Sequence, residues 1–203
     1  MPFPTTNAQT ELQAVNEILA SVGQAPVTTL DQTNPDVAIA YDTLIQVSRE
    51  VQAEGWTFNK EFEYPLTPDT NNEILIPNNV LQLDLTPDYR DRDSVRRNGK
   101  LYDRTNHTFE WEDDEVLCDV VWYFDWVDLP IPIQDYIVAR AATITSSRIV
   151  GDSGQYQMLQ QREAYCRAMA LEYECNQGEY TFFGHPRGGN YYNSYEPYKA
   201  LYR

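Results

Sequence analysis

The sequence predicts an α+β protein: a four-helix bundle, an antiparallel β module inserted between the second and third helices, and an extended C-terminal arm. Three observations carry this. Apolar residues recur at helical spacing in four stretches, two near the start and two after Pro130. Between them, over 56–128, apolar and polar residues alternate in short runs separated by turn residues. The chain then ends in QGEYTFFGHPRGGNYYNSYEPYKALYR, with six tyrosines and two phenylalanines among too many Gly, Pro and Asn for a regular helix. The segments are 1–55, 56–128, 129–176 and 177–203.

The first helix covers 10–22. Leu12, Val15, Ile18, Leu19 and Val22 form one face, Thr10 with Gln13 fits a capping box, and Gly23 is a natural stop. Asn34-Pro35-Asp36 opens the second helix with a cap, a proline at the first helical position and an acid at the positive end of the dipole. Its buried stripe is Val37, Ala40, Tyr41, Leu44, Ser48 and Val51, and Gly55 ends it. At Trp56 the period changes to two, through Phe58, Phe62, Tyr64 and Leu66. Further strand-like runs fall at 74–76, 80–85, 101–102, 109–111 and 116–124. Asn98-Gly99 suits a type I′ hairpin turn. Helical spacing returns with Ile133, Tyr136, Ile137, Ala141 and Ile144. After Gly151-Asp152-Ser153-Gly154, with Ser153 as a candidate cap, a last helix runs over about 154–176.

Charge narrows the possible partners. The net charge is −16, and no basic run of any length stands out. Such a surface repels phosphates, which argues against a nucleic-acid binder. No stretch of eighteen apolar residues exists, and the N-terminus lacks the pattern of a secretion signal. Asn106-His107-Thr108 matches a glycosylation sequon but, without such a signal, is expected to carry no sugar. Cys118, Cys166 and Cys175 are odd in number and show no disulfide spacing, so reduced thiols are expected.

Catalytic chemistry finds little footing. His107 and His185 lie on separate segments, and neither a CxxC nor an HExxH pattern occurs, so no metal is expected. The glycine-rich stretches lack the Lys-Ser/Thr of a phosphate-binding loop, so no cofactor is expected. Glu110, Glu112, Asp113, Asp114 and Glu115 read as a solvated turn, and Trp56, Trp111, Trp122 and Trp126 as packing residues. An acidic two-module protein with an aromatic arm fits an assembly component better than a catalyst.

Several stretches together resemble a known family. They are AVNEILASVGQAPVTTL (14–30), REVQAEGWTFN (49–59), KLYDRTNHT (100–108), DYIVARAATITSSRIVGD (135–152) and AYCRAMALEYECNQGEY (164–180). They resemble tail tubular protein A, the head-to-tail adaptor of short-tailed, podovirus-type bacteriophages. The most specific pieces are the Gly-x-x-Pro-Val exit from the first helix and the Gly55-Trp56-Thr57-Phe58-Asn59 junction. The resemblance implies a helical bundle with an inserted β module. It implies a homo-oligomeric ring of about twelve subunits, seated below the portal protein. The ring would carry the tail nozzle, tail tubular protein B, with tail fibre protein nearby. DNA would pass through the lumen without specific binding. The family brings no catalytic motif. The expected location is the virion tail at the head-tail junction, after assembly in the host cytoplasm, with no membrane contact.

Two further expectations concern surfaces. Acids of the 110–115 cluster or on outer helix faces would line the bore. The arm would reach a neighbouring subunit or the portal through Tyr180, Phe182, Phe183, Tyr191, Tyr192, Tyr195, Tyr198 and Tyr202, because aromatic anchors bury much area while freezing few torsions. The alternatives are a glycan hydrolase of the tail, using the 110–115 carboxylates, and an acidic mimic of DNA.

Overall fold

The computed structural model describes residues 10–89 and 91–178. They form a mixed α+β protein with four helices and small antiparallel sheets. In chain order the elements are α1 (Glu11–Ser21), α2 (Pro35–Gln52), β1 (Lys60–Leu66), β2 (Val80–Leu85), β3 (Ser94–Arg97), β4 (Lys100–Asp103), β5 (Val116–Trp122), α3 (Ile131–Ile149) and α4 (Ser153–Gly178). Two compact units divide them: 10–54 with 124–174, and 55–123 with 175–178.

In the first unit, α3 packs on both α1 and α2. Burial explains why. Ile133, Tyr136, Ile137, Val138, Ala141 and Ala142 are all inside, so α3 is apolar around most of its girth. The caps on α1 follow the sequence. Thr10 Oγ1 accepts from Gln13 N at 3.3 Å, and Thr10 N donates to Gln13 Oε1 at 2.9 Å. At the other end Gly23 takes φ +77°, its N–H reaches Ala20 O, and Gln24 N–H reaches Leu19 O. That pair of bonds satisfies the last carbonyls of the helix. The exit loop is then held by a residue the apolar pattern hides: Asn16 Oδ1 accepts from Val27 N at 2.7 Å and Asn16 Nδ2 donates to Val27 O at 2.9 Å.

Two readings need correction in this unit, and one buried polar residue went unread in the sequence. Tyr41 and Ile144 are half-exposed rather than buried. Gln52 is buried, and its amide bonds both backbone groups of Phe124, at 2.8 Å and 3.1 Å. The start of α4 is capped by Asp152, not Ser153: Asp152 Oδ1 accepts from Gly154 N at 2.9 Å.

The second unit holds a three-stranded sheet in the order β1-β5-β2 and the β3–β4 hairpin. The hairpin turn is Asn98-Gly99, with φ of +52° and +73° at the two positions, as a type I′ turn requires. Trp56–Asn59 is not strand. It is a turn closed by a buried asparagine: Asn59 Oδ1 accepts from Trp56 N at 2.9 Å, and Asn59 Nδ2 donates to Trp122 O at 2.8 Å. Gly55 precedes it at φ +77°, where an added side chain would be strained. The runs at 74–76 and 109–111 make only isolated bridges, Leu75 with Lys100 and Glu73 with Glu110. Their alternation still shows, since Ile74 and Ile76 are buried and Leu75 is exposed.

Asp103 ties the loop after β4. Its carboxylate accepts from Thr105 N at 2.7 Å, Asn106 N at 3.0 Å and Asn106 Nδ2 at 2.9 Å. Burial opposes its ionisation, but the Asn106 and Thr105 hydrogen bonds with the nearby Arg92 more than offset that, and its pKa falls below the ordinary aspartate value. A lowered folded-state pKa stabilises the fold above the unfolded value of about 3.9, and that stability is lost as pH falls through the folded value. Asp103→Asn is therefore less stable than the parent in urea unfolding at pH 7. The gap narrows at pH 3, and a gap that stays constant contradicts this account.

The thiols are also sorted by burial. Burial, then Asp119 and Asp84, pushes the Cys118 thiol up to about 12. Burial first also raises Cys166, while Cys175 is exposed. A thiol reagent at pH 8 is expected to label Cys175 rapidly. Cys118 and Cys166 react only after denaturant is added, because the thiolate is the reacting species. Rapid labelling of Cys118 in the native protein would show that its site opens.

Candidate interaction surfaces

Three surface features stand out. The first is α4. Cys166 and Ala170 are buried, and Arg167 bonds both Glu54, at 3.2 Å, and the Tyr136 hydroxyl. Arg162 pairs with Glu17 at 2.5 Å, and Gln155 donates to Ser21 O. These contacts hold one side of the helix. Met158, Tyr165 and Met169, seven and four residues apart, share another side and are exposed, Met158 at 72 % and Tyr165 at 66 %.

The second is the acidic turn. Glu110, Glu112, Asp114 and Glu115 are exposed, and Asp113 is half-buried because it pairs with Arg92. Arg92 also lies over the Trp111 ring, 5.8 Å from its centroid. The turn is thus solvated apart from the one acid that the neighbouring cation claims. Trp56, Trp111, Trp122 and Trp126 are all buried, so none offers a platform for a sugar.

The third was missed in the sequence. Six of the fifteen Lys and Arg lie within 90–104, at Arg90, Arg92, Arg96, Arg97, Lys100 and Arg104. The interspersed acids Asp91, Asp93 and Asp103 hide this in a linear reading, but the hairpin carries Arg96 and Arg97 to its exposed tip. The expectation of no basic patch is corrected to that extent.

Among the described residues, no group of three or more His, Cys, Asp or Glu side chains could hold a metal ion, and no helix is long and apolar enough to cross a membrane. Tyr180, Phe182, Phe183, Tyr191, Tyr192, Tyr195, Tyr198 and Tyr202 lie outside the described residues, as does His185.

The described residues thus present an exposed helix face, an acidic turn and an arginine-tipped hairpin as their main surface features. The chain belongs to the tail tubular protein family, whose model matches residues 12–180. That family makes it a structural component of the phage virion tail. It is 27 % identical over 172 residues to tail tubular protein A of Klebsiella phage KP34, covering 82 % of this chain and 88 % of that protein. Neither comparison supports a glycan hydrolase.

The two pieces most specific to the resemblance are those the structure clamps with side-chain amides. Asn16 holds the Gly-x-x-Pro-Val exit, and Asn59 closes the Gly-Trp-Thr-Phe-Asn junction. Asn16 bonds both backbone groups of Val27 in the loop after α1, and Asn59 ties the Trp56 N–H to the end of β5 at Trp122 O, so the residue type is dictated by backbone geometry rather than by chemistry at a site.

Proposed function

We propose that this protein is the head-to-tail adaptor of a short-tailed phage. Copies form a ring of about twelve subunits between the portal protein and the tail nozzle, with tail fibre protein attached nearby, and DNA leaves through the lumen. The observation that carries this reading is the family match over 12–180, nearly the whole described chain. On this reading the helices of 1–55 and 129–176 make a four-helix bundle, 56–128 is a module inserted into it, and 177–203 is the arm that docks on a neighbouring subunit or the portal.

The charge supports passage of DNA. A ring of about twelve copies carries a formal charge of roughly −190 before screening. Tight binding to DNA draws on release of counterions by Lys and Arg, and an acidic bore provides little of it. The field reaches only ~8 Å at physiological salt, so it acts where the bore is narrow. Purified portal rings mixed with this protein and imaged as single particles test the reading. Rings stacked coaxially on the portal support it. Portals that stay bare, or a lumen rich in Lys and Arg, refute it. A chain lacking 179–203 is expected to fold and to leave the portal bare, and normal docking by that chain removes the arm's role.

A further inference from the structure

Arg96 and Arg97 differ from the other cations around them. Arg92 pairs with Asp113, Lys100 with Glu73 at 2.5 Å, and Arg104 with Asp93 at 2.8 Å. Arg96 instead donates to Val80 O at 3.1 Å, and the Arg97 guanidinium lies 4.1 Å from the Tyr102 ring centroid. Among the described residues neither forms an ion pair. Both are exposed, next to a tight two-residue turn. They are therefore positioned by neutral groups while their charge stays uncompensated. Positioning of this kind lowers the entropy lost when the side chains engage a partner.

We infer that the β3–β4 hairpin docks, through Arg96 and Arg97, on the acidic surface of a second copy of this chain. The inference rests on the ring reading above. Charge complementarity selects the partner: each copy carries a net −16 together with this basic tip. Guanidinium groups match carboxylates with paired hydrogen bonds, so acids on the next subunit suit them. Such a contact joins two different patches, which repeats head to tail and closes a ring when the rotation allows. DNA phosphate is the competing partner for two arginines on a hairpin. The acidic body opposes the approach of a polyanion, so the second copy fits better.

The test compares the wild type with Arg96→Glu/Arg97→Glu and Arg96→Lys/Arg97→Lys, each confirmed as folded by circular dichroism. Each is mixed with portal rings and imaged, and the isolated proteins are sedimented at low and high salt. The Glu pair is expected to reduce the copies bound per portal by about tenfold or more, while the Lys pair keeps most of them. Self-association of the isolated wild type is expected to weaken with salt and in the Glu pair. If the Glu pair decorates portals like the wild type, the inference falls and the ring reading stands. If both pairs fail equally, the hairpin acts through its shape rather than its charge, and the inference falls. If wild-type protein leaves the portal bare, the ring reading fails, and sedimentation decides alone: only self-association that the Glu pair loses retains the hairpin contact. A gel shift with a short DNA duplex completes the set, because DNA binding lost in the Glu pair with unchanged self-association assigns the arginines to phosphate and overturns the inference.

Discussion

Trp111→Ala is expected to cost the second unit about 3–5 kcal/mol, a large share of the ~5–15 kcal/mol that holds a typical domain. Trp111 is 2 % exposed, and its Nε1 donates to Leu101 O at 3.1 Å. Its own backbone N–H bonds Asn72 O at 2.8 Å, and Leu101 N bonds Ile74 O at 2.9 Å. The indole thus sits where three segments without a continuous ladder meet. Truncation leaves a cavity and deprives a buried carbonyl of its donor, and these losses add. Trp111→Phe keeps most of the ring and loses the donor, so a smaller cost of about 1–2 kcal/mol is expected. Urea unfolding followed by circular dichroism reads both. A loss below about 1 kcal/mol for the alanine variant would mean that the site collapses around the gap.

Tyr136 is the matching position in the first unit, and two substitutions separate its two contributions. The residue is fully buried on α3, and its hydroxyl accepts from Arg140 Nη1 at 3.2 Å and from Arg167 Nη1. Arg140 also pairs with Glu50 at 3.1 Å, and Arg167 with Glu54 at 3.2 Å. One phenol oxygen therefore links cations from α3 and α4 to acids at and just beyond the end of α2. Tyr136→Ala is expected to cost about 3–5 kcal/mol through the lost ring. Tyr136→Phe removes only the shared acceptor, and about 1–2 kcal/mol is expected. Arg167→Ala alone disturbs a half-exposed pair and costs less. In a double-mutant cycle, Tyr136→Phe and Arg167→Ala together are expected to cost less than the sum of the two, because each removes the same bond. Strict additivity would show that the hydroxyl contact contributes nothing.

Much of the local structure was legible in the sequence because it is set by near neighbours. Thr10 and Gln13 cap α1 from three residues apart, Gly23 ends it, Asn34 and Pro35 open α2, and Asn98-Gly99 turns the hairpin. Each depends on backbone geometry within one turn, which residue type reports directly. What the sequence did not reveal has the opposite cause. Gln52 is inside because Phe124, seventy-two residues later, presents both backbone groups to it. Asn59 turns Trp56–Asn59 away from strand because Trp122 O, sixty-three residues on, takes its amide. The tip of the hairpin collects cations that a linear reading dilutes with Asp91, Asp93 and Asp103.

The sequence by itself determined the four helices, the runs that became β1, β2, β4 and β5, most caps and turns, the acidity and the resemblance to tail tubular proteins. Only the tertiary structure decided which polar side chains are interior, which face of α4 is exposed, and that Arg96 and Arg97 at the hairpin form no ion pair among the described residues. The physical reason is that caps and turns are satisfied within a few residues. A buried amide or an uncompensated charge is defined by what the rest of the chain brings to it.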